Sequence, residues 1–277
     1  SRKTLIFGAA AGAGALVGEL VSELFRVNGD DPTSFFRLVL NVGIWAAFIG
    51  LGISAALVIA QTFYLKKKLV IEMLIKSALI GIGVGVAGGA AAQIIFGLTS
   101  DISTFVEIFS RLICWGILGW GLGWGVSFYV PNYPAKRAML AGLAGGVVGG
   151  AFFRATFSLP EPFGRVIGIT ILGLFIGLAI SFVEEALREA WLTVIWGPKE
   201  SVTISLGTKP IVFGSSREAD VYLPVRRDVP ALPIRAVVAL ENGRVVLDDK
   251  AAGRRSVLQN GGEFTLDRLR VVVNTKS

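Results

Sequence analysis

The chain has 277 residues, 53% hydrophobic and 17% charged, with a mean hydropathy of +0.67 and a formal net charge of +7. Soluble domains carry about 25% charged residues, so a single water-exposed globule is excluded. One cysteine, Cys114, and no histidine exclude an internal disulfide, zinc sites built on His or paired Cys, and any catalytic triad with His as its base.

A membrane span needs about 20 mostly apolar residues. Six segments meet that length, at roughly 4–25, 36–63, 70–97, 104–130, 136–157 and 163–186. The first follows Arg2 and Lys3 and could pass for a signal peptide. An internal repeat makes it a span instead, and because the chain starts at Ser1 a start Met or longer leader is expected upstream.

In the odd-numbered segments small residues recur four apart: Ala10, Gly14 and Gly18, then Gly81, Gly85 and Gly89, then Gly142, Gly146 and Gly150. A phenylalanine follows each row seven residues on, at Phe25, Phe96 and Phe157. The even-numbered segments share Gly50-Leu-Gly52-Ile-Ser54, Gly123-Trp-Gly125-Val-Ser127 and Gly177-Leu-Ala179-Ile-Ser181. The pattern predicts three tandem copies of one helical hairpin, at about 1–63, 70–130 and 136–186. Residues four apart stack on one helix face, and a row of small ones lets another backbone approach closely. These rows are expected to be helix–helix seams around a pseudo-threefold axis. Gly83, Gly85 and Gly88 also match G-x-G-x-x-G, but they lie mid-helix with no strand before them, which rules out the dinucleotide reading. Cys114 sits among Leu112, Ile113 and Trp115 and reads as a small buried hydrophobe.

The side of the bundle that holds the N-terminus carries Arg2, Lys3, Lys66, Lys67, Lys68, Lys76, Lys136 and Arg137 against one acid, Glu72. The opposite side carries Arg26, Arg37, Arg111, Arg154 and Arg165 against Glu23, Asp30, Asp31, Asp101, Glu107 and Glu161. The excess of Lys and Arg places both termini in the cytoplasm, in an integral protein of the cell's inner membrane. It also accounts for the net charge without a nucleic-acid partner. Glu19, Asn41, Gln93 and Arg154 are the polar residues that could mark a pathway within the spans, and Ser22, Gln93 and Arg154 read as equivalent across the copies.

From Phe182 to Trp196 the reading is a helix leaving the membrane, with Trp191 and Trp196 at the interface and Gly197-Pro198 as its stop. Residues 197–277 form a second region. Short strands are expected at Val202–Leu206, Pro210–Phe213, Val221–Leu223, Ile234–Leu240, Arg244–Leu247, Arg255–Leu258, Glu263–Thr265 and Leu269–Val273, with turns at Asn242-Gly243 and Asn260-Gly261. The fold class is therefore a polytopic six-helix membrane bundle followed by a small all-β sandwich.

Ile211-Val-Phe-Gly214 followed by Asp220-Val221-Tyr-Leu223-Pro224 resembles the opening of a forkhead-associated domain, and Arg235-Ala236-Val-Val and Leu247-Asp248 resemble its later strands. The resemblance covers roughly 205–275. It implies a β-sandwich that contacts protein partners through loops at one end. Family members hold phosphothreonine there with an Arg after the glycine and a Ser three residues before a His. Here Ser215 and Leu232 occupy those places, Arg235 replaces the His, and Ala252-Gly253 stands near the family's Asn-Gly. The expected partner surface comprises Ser215, Ser216, Arg217, Arg226, Arg227, Arg235, Arg254 and Arg255, without phosphothreonine dependence. The expected role is a membrane scaffold or accessory subunit, not an enzyme, with a small channel or transporter as the alternative. Its surroundings would be the bilayer and a cytoplasmic or membrane protein, with no cofactor and no metal.

Overall fold

A computed structural model describes residues 1–25, 34–99, 102–160, 163–197, 200–216, 219–223 and 232–276, apart from the Phe157 side chain. The chain divides into two compact units. The first comprises Ser1–Gln61, Ile71–Tyr129 and Pro134–Glu184, and the second Thr62–Val70, Val130–Tyr133 and Glu185–Ser277.

Six long helices run through the first unit: α1 (Arg2–Leu24), α2 (Phe35–Tyr64), α3 (Ile71–Thr99), α4 (Thr104–Val126), α5 (Ala135–Ala155) and α6 (Phe163–Ala186). The shortest has 21 residues, enough at ~1.5 Å per residue to cross a hydrocarbon core of about 30 Å. All six are long and apolar enough to be membrane spans, and the chain is an integral membrane protein. Side-chain caps start three of them: Ser1 Oγ accepts from the Thr4 N–H at 3.2 Å, Ser34 Oγ from the Arg37 N–H at 3.4 Å, and Ser103 Oγ from the Val106 N–H at 3.3 Å. Large apolar residues such as Leu5, Phe63, Leu79, Leu98 and Phe105 point outward, where lipid tails rather than protein solvate them.

Glycine decides how these helices pack. A Cβ on Gly14 or Gly18 of α1 would collide with the backbone of α2 at Gly52 and Phe48, and one on Gly81 or Gly85 of α3 with α2 at Gly50 and Ala46. Gly142 and Gly146 of α5 meet the α4 backbone at Gly119 and Trp115, and Gly145 and Gly149 meet α6 at Ile176 and Leu172. Gly121 of α4 abuts Val84 of α3, while Gly173 and Gly177 of α6 press on Ala11 and Phe7 of α1. Each helix thus touches its neighbours in chain order, and α6 returns to α1. Ion pairs secure that last seam at both ends: Lys3 Nζ lies 2.8 Å from Glu184 Oε2, with both side chains 4% exposed, and Arg165 of α6 pairs with Glu19 and Glu23 of α1. Phe7, Ile49, Ile53, Leu122, Ile169, Leu172, Ile176 and Ile180 are almost wholly buried.

The contacts repeat three times, but in a different register from the one read off the residues. The seam between an even helix and the next odd helix pairs Gly50 with Gly81, Gly119 with Gly142, and Gly173 with Ala11. In α1 the counterpart of Gly81 and Gly85 is therefore Ala11 and Ala15. Ala10 is half-buried, and Gly14 and Gly18 face α2 of their own hairpin. Likewise Gly50 corresponds to Gly119 and Gly173, one turn from Gly123 and Gly177. Glu23, not Ser22, then matches Gln93 and Arg154. A one-residue slip turns a helix by about 100°, and α1 carries several small rows side by side, so residue identity alone could not choose among them. Gly89 and Gly150 adjoin Ala46 and Trp115. Gly83, Gly85 and Gly88 lie inside α3, where a Cβ on Gly83 would meet nothing within 4 Å.

The expected exit helix is corrected. Helix α6 ends at Ala186, and Ala190–Gly197 is a strand, β1. The reason is the period of the sequence. Ala190, Leu192 and Val194 are 0–2% exposed and alternate with partly exposed Trp191, Thr193 and Ile195, the two-residue repeat of a half-buried strand. Trp191 and Trp196 are thus strand residues. The strand pairs with β2 (Glu200–Leu206) and with β9 (Leu269–Thr275). The other strands are β3 (Ile211–Gly214), β4 (Val221–Tyr222), β5 (Ala236–Glu241), β6 (Arg244–Asp249), β7 (Arg254–Leu258) and β8 (Glu263–Leu266).

They form two sheets, ordered β2-β1-β9-β8 and β4-β3-β5-β6-β7. Only the β3–β4 pair among the described pairings is parallel. Phe213 and Phe264 meet edge to face across the core at 6.1 Å, among fully buried Leu192, Ile211, Val238 and Val271. Two helix connectors belong to this second unit as well. Asn132, at φ +56°, donates from Nδ2 to the Ser205 and Lys209 carbonyls at 3.1 and 2.9 Å and accepts from the Lys209 N–H at 2.9 Å. The Tyr64 hydroxyl accepts from the Thr203 N–H at 2.9 Å.

Candidate functional site

The helical unit holds a half-open pocket of about 440 Å³. Its walls come from five helices: Trp45 on α2, Gln93 and Phe96 on α3, Arg111, Cys114 and Trp115 on α4, Phe153 on α5 and Arg165 on α6. Gly88 and Gly89 also line it; a Cβ on Gly89 would collide with Ala46 and the Val42 carbonyl, and one on Gly88 would touch Leu118. Trp115 is edge-on to both Trp45 and Phe153, with centroids 6.0 and 5.0 Å apart. This aromatic triad crosses α2, α4 and α5.

Charge around the cavity is organised by Glu19, whose side chain is 0% exposed. Its Oε1 accepts from Arg165 Nε at 2.6 Å and its Oε2 from Trp45 Nε1 at 2.7 Å. Glu23 pairs with a terminal nitrogen of the same guanidinium. A buried carboxylate is tolerable only with such partners, because desolvation of an unpaired charge costs several kcal/mol. Arg111 is held by Glu107 one turn before it, with Nε–Oε1 at 3.2 Å, and stacks on Phe96 at 4.2 Å. Glu19, Glu23 and Glu107 do not themselves line the cavity. They stand behind the arginines and aim them.

Of the polar residues singled out from the sequence, Glu19 and Gln93 reach this site, while Asn41 and Arg154 are exposed. Arg165, Arg111, Trp45 and Trp115 were not foreseen as its members. The signal that could have found them is an arginine early in each of two apolar helices. Cys114 is buried, with Sγ 3.5 Å from the Ala92 carbonyl. Among the described residues no His, Cys, Asp and Glu cluster could hold a metal ion.

The sandwich presents a different surface. Gly214 ends β3 directly against the Pro233 backbone, where a Cβ would collide with the carbonyl. Ser215 then donates its hydroxyl to the Leu232 carbonyl at 2.9 Å, and the Ser216 N–H donates to the Pro233 carbonyl at 3.3 Å. Arg235 pairs with Asp249, whose carboxylate also accepts from the Ala251 and Ala252 N–H groups at 3.0 Å. Arg255 pairs with Glu241 at 2.5 Å, and Arg254 is exposed at the start of β7. Arg217, Arg226 and Arg227 lie outside the described residues. Three lysines of the second unit are engaged here: Lys66 with Glu200 at 2.5 Å, Lys67 with Asp220 at 3.4 Å, and Lys68 over the Tyr222 ring at 5.3 Å.

No protein-family model matches the chain, and a search of the curated proteins finds no relative.

Proposed function

We propose that the chain is a non-enzymatic membrane scaffold or accessory subunit whose β-sandwich, similar to a forkhead-associated domain, binds a protein partner without requiring phosphothreonine. The observation that carries this reading is the state of the residues standing where that family grips phosphate. Ser215 spends its hydroxyl proton on the Leu232 carbonyl, and Arg235 is neutralised by Asp249. Phosphate recognition needs charge-assisted donors aimed outward in fixed geometry. The two-sheet fold and the Gly214, Val221–Tyr222 and Arg235-Ala236 positions support the resemblance. We place both termini on the cytoplasmic side of the inner membrane, from the Lys and Arg excess at Arg2, Lys3, Lys66, Lys67, Lys68, Lys76, Lys136 and Arg137 against one acid, Glu72.

A transport reading draws on the cavity, but the buried Ile and Leu side chains favour a filled bundle over a continuous polar path. Mass spectrometry of the gently solubilised native complex tests the scaffold role, with a stoichiometric partner as the expected result. Reconstituted alone, the protein should be electrically silent. Solute flux through liposomes holding only this chain would overturn the proposal, as would micromolar phosphothreonine-peptide binding that disappears on dephosphorylation.

A further inference from the structure

We infer that the pocket of the helical unit takes one uncharged single-chain lipid, with its hydroxyl on the Gln93 amide and its apolar body beside Trp45, Trp115 and Phe153. Counting back eight residues from the matched Gly50, Gly119 and Gly173 gives Val42, Arg111 and Arg165, and all three line the pocket. In the odd helices the matched polar positions are Glu23, Gln93 and Arg154. At the α6–α1 seam Arg165 and Glu23 pair with each other. At the equivalent α2–α3 seam stand Val42 and Gln93, which cannot form an ion pair. Gln93 lines the pocket, half-buried, and makes no hydrogen bond among the described residues. Its amide offers both donors and an acceptor, and a hydroxyl can answer either.

The charged part of the lining favours neither sign. Arg111 is engaged by Glu107, and Arg165 by Glu19 and Glu23, so an anion would compete with a carboxylate for each guanidinium. A cation would meet those guanidiniums, which line the pocket, and not the acids, which do not. The Phe96 face that could hold a cation is already occupied by Arg111 at 4.2 Å. The rest of the wall is aromatic and aliphatic, and an uncharged chain has no charge to desolvate against it. A volume of about 440 Å³ lies within the range of small-molecule sites. The site is also prearranged. Glu19 fixes Arg165 and Trp45 together, so the polar edge and the aromatic wall keep their spacing before any ligand arrives.

The test uses the full chain in phosphatidylcholine nanodiscs. A Trp120→Phe/Trp124→Phe background removes two half-exposed indoles on α4 that surrounding lipid would reach. Five chain-brominated hexadecyl probes differ only in headgroup: alcohol, glycerol ether, none (the plain alkane), phosphate monoester and trimethylammonium. Affinity is read as the mole fraction of probe in the disc lipid, which cancels differences in partitioning. Bromine quenches indole only at contact, so saturable quenching reports occupancy beside Trp45 and Trp115. The expected result is saturable quenching by the alcohol or the glycerol ether, at least roughly tenfold tighter than by the phosphate or the ammonium. It should also be roughly fivefold tighter than by the alkane, the value of one hydrogen bond. Which hydroxyl head binds tighter distinguishes a long-chain alcohol from a glycerolipid. Ala92→Phe, which fills the pocket, should abolish the saturable phase. Gln93→Leu should bring the hydroxyl probes down to the affinity of the alkane and leave the alkane itself unchanged, which also shows that the variant keeps its pocket. Binding of the phosphate or the ammonium as tight as that of the alcohol, or no saturable phase, overturns the inference, and so does a Gln93→Leu variant that binds the hydroxyl probes as before.

Discussion

The Gly142 seam offers a direct measurement of what glycine does in the bundle. In Gly142→Ala the new Cβ would lie 2.8 Å from the Gly119 carbonyl carbon and 3.1 Å from the Gly123 nitrogen, with the Gly119 oxygen closer still. Ordinary non-bonded carbon contacts are ~3.5–4 Å, so α4 and α5 must part by roughly 1 Å. Both helices are stiff, and the opening spreads to Gly123 against Ala138 and Gly146 against Trp115. Suppose about 30 atom pairs worth ~0.15 kcal/mol each lose half their attraction; the seam then loses about 2 kcal/mol. That falls inside the usual ~1–3 kcal/mol cost of overpacking. Alanine also gains up to about 1 kcal/mol of helix propensity over glycine, so the comparison needs a glycine with open space around it. Gly83 in α3 is that control, with nothing within 4 Å. Reversible unfolding in dodecyl maltoside with added SDS, followed by far-UV circular dichroism, should find Gly142→Ala less stable than Gly83→Ala by about 2 kcal/mol. Equal stability of the two variants would refute the claim that backbone contact, rather than helix flexibility, selects glycine here.

Other outcomes follow from the same geometry. In a double-mutant cycle, Lys3→Met or Glu184→Met alone should cost about 3–5 kcal/mol by stranding a buried charge, while the pair together costs much less; additive losses would contradict a closed α1–α6 seam. Asn132→Ala should cost about 1–3 kcal/mol and speed hydrogen exchange at the Lys209 amide, since three hydrogen bonds vanish. Asn132→Gly should recover the part due to the positive φ. In the sandwich, the hydrogen bond from Arg270 holds the Glu263 carboxyl below the usual carboxylate range. Its small contribution is therefore present above the ordinary carboxylate pKa and is lost as pH falls through the depressed value. An NMR titration should find Glu263 below an unpaired glutamate, and Arg270→Gln should bring it back.

The limits of the six spans were legible to within a few residues, because crossing a bilayer depends on length and hydropathy within one segment. Most of the sandwich was legible too, since its strands alternate and end at turns such as Asn242-Gly243. Strand β1 was missed because it follows a membrane helix after three residues, and its Trp191 and Trp196 imitate an interfacial belt. Glu19 and Gln93 stood out as polar residues in apolar surroundings. Their companions did not, because Glu19 meets Trp45 across 26 positions and Arg165 across 146. Nothing local in the chain links such residues.

By itself, then, the sequence determined the partition into bilayer and water, the count of spans and the presence of small-residue rows, all of which follow from local composition and period. Only the tertiary structure decided which row faces which helix. It put Ala11 rather than Ala10 opposite Gly173, closed α6 onto α1, and turned Arg111 and Arg165 towards one cavity. The physical reason is that helix rotation is set by contacts summed over two neighbours at once, and a single helix carries no record of its neighbours' surfaces.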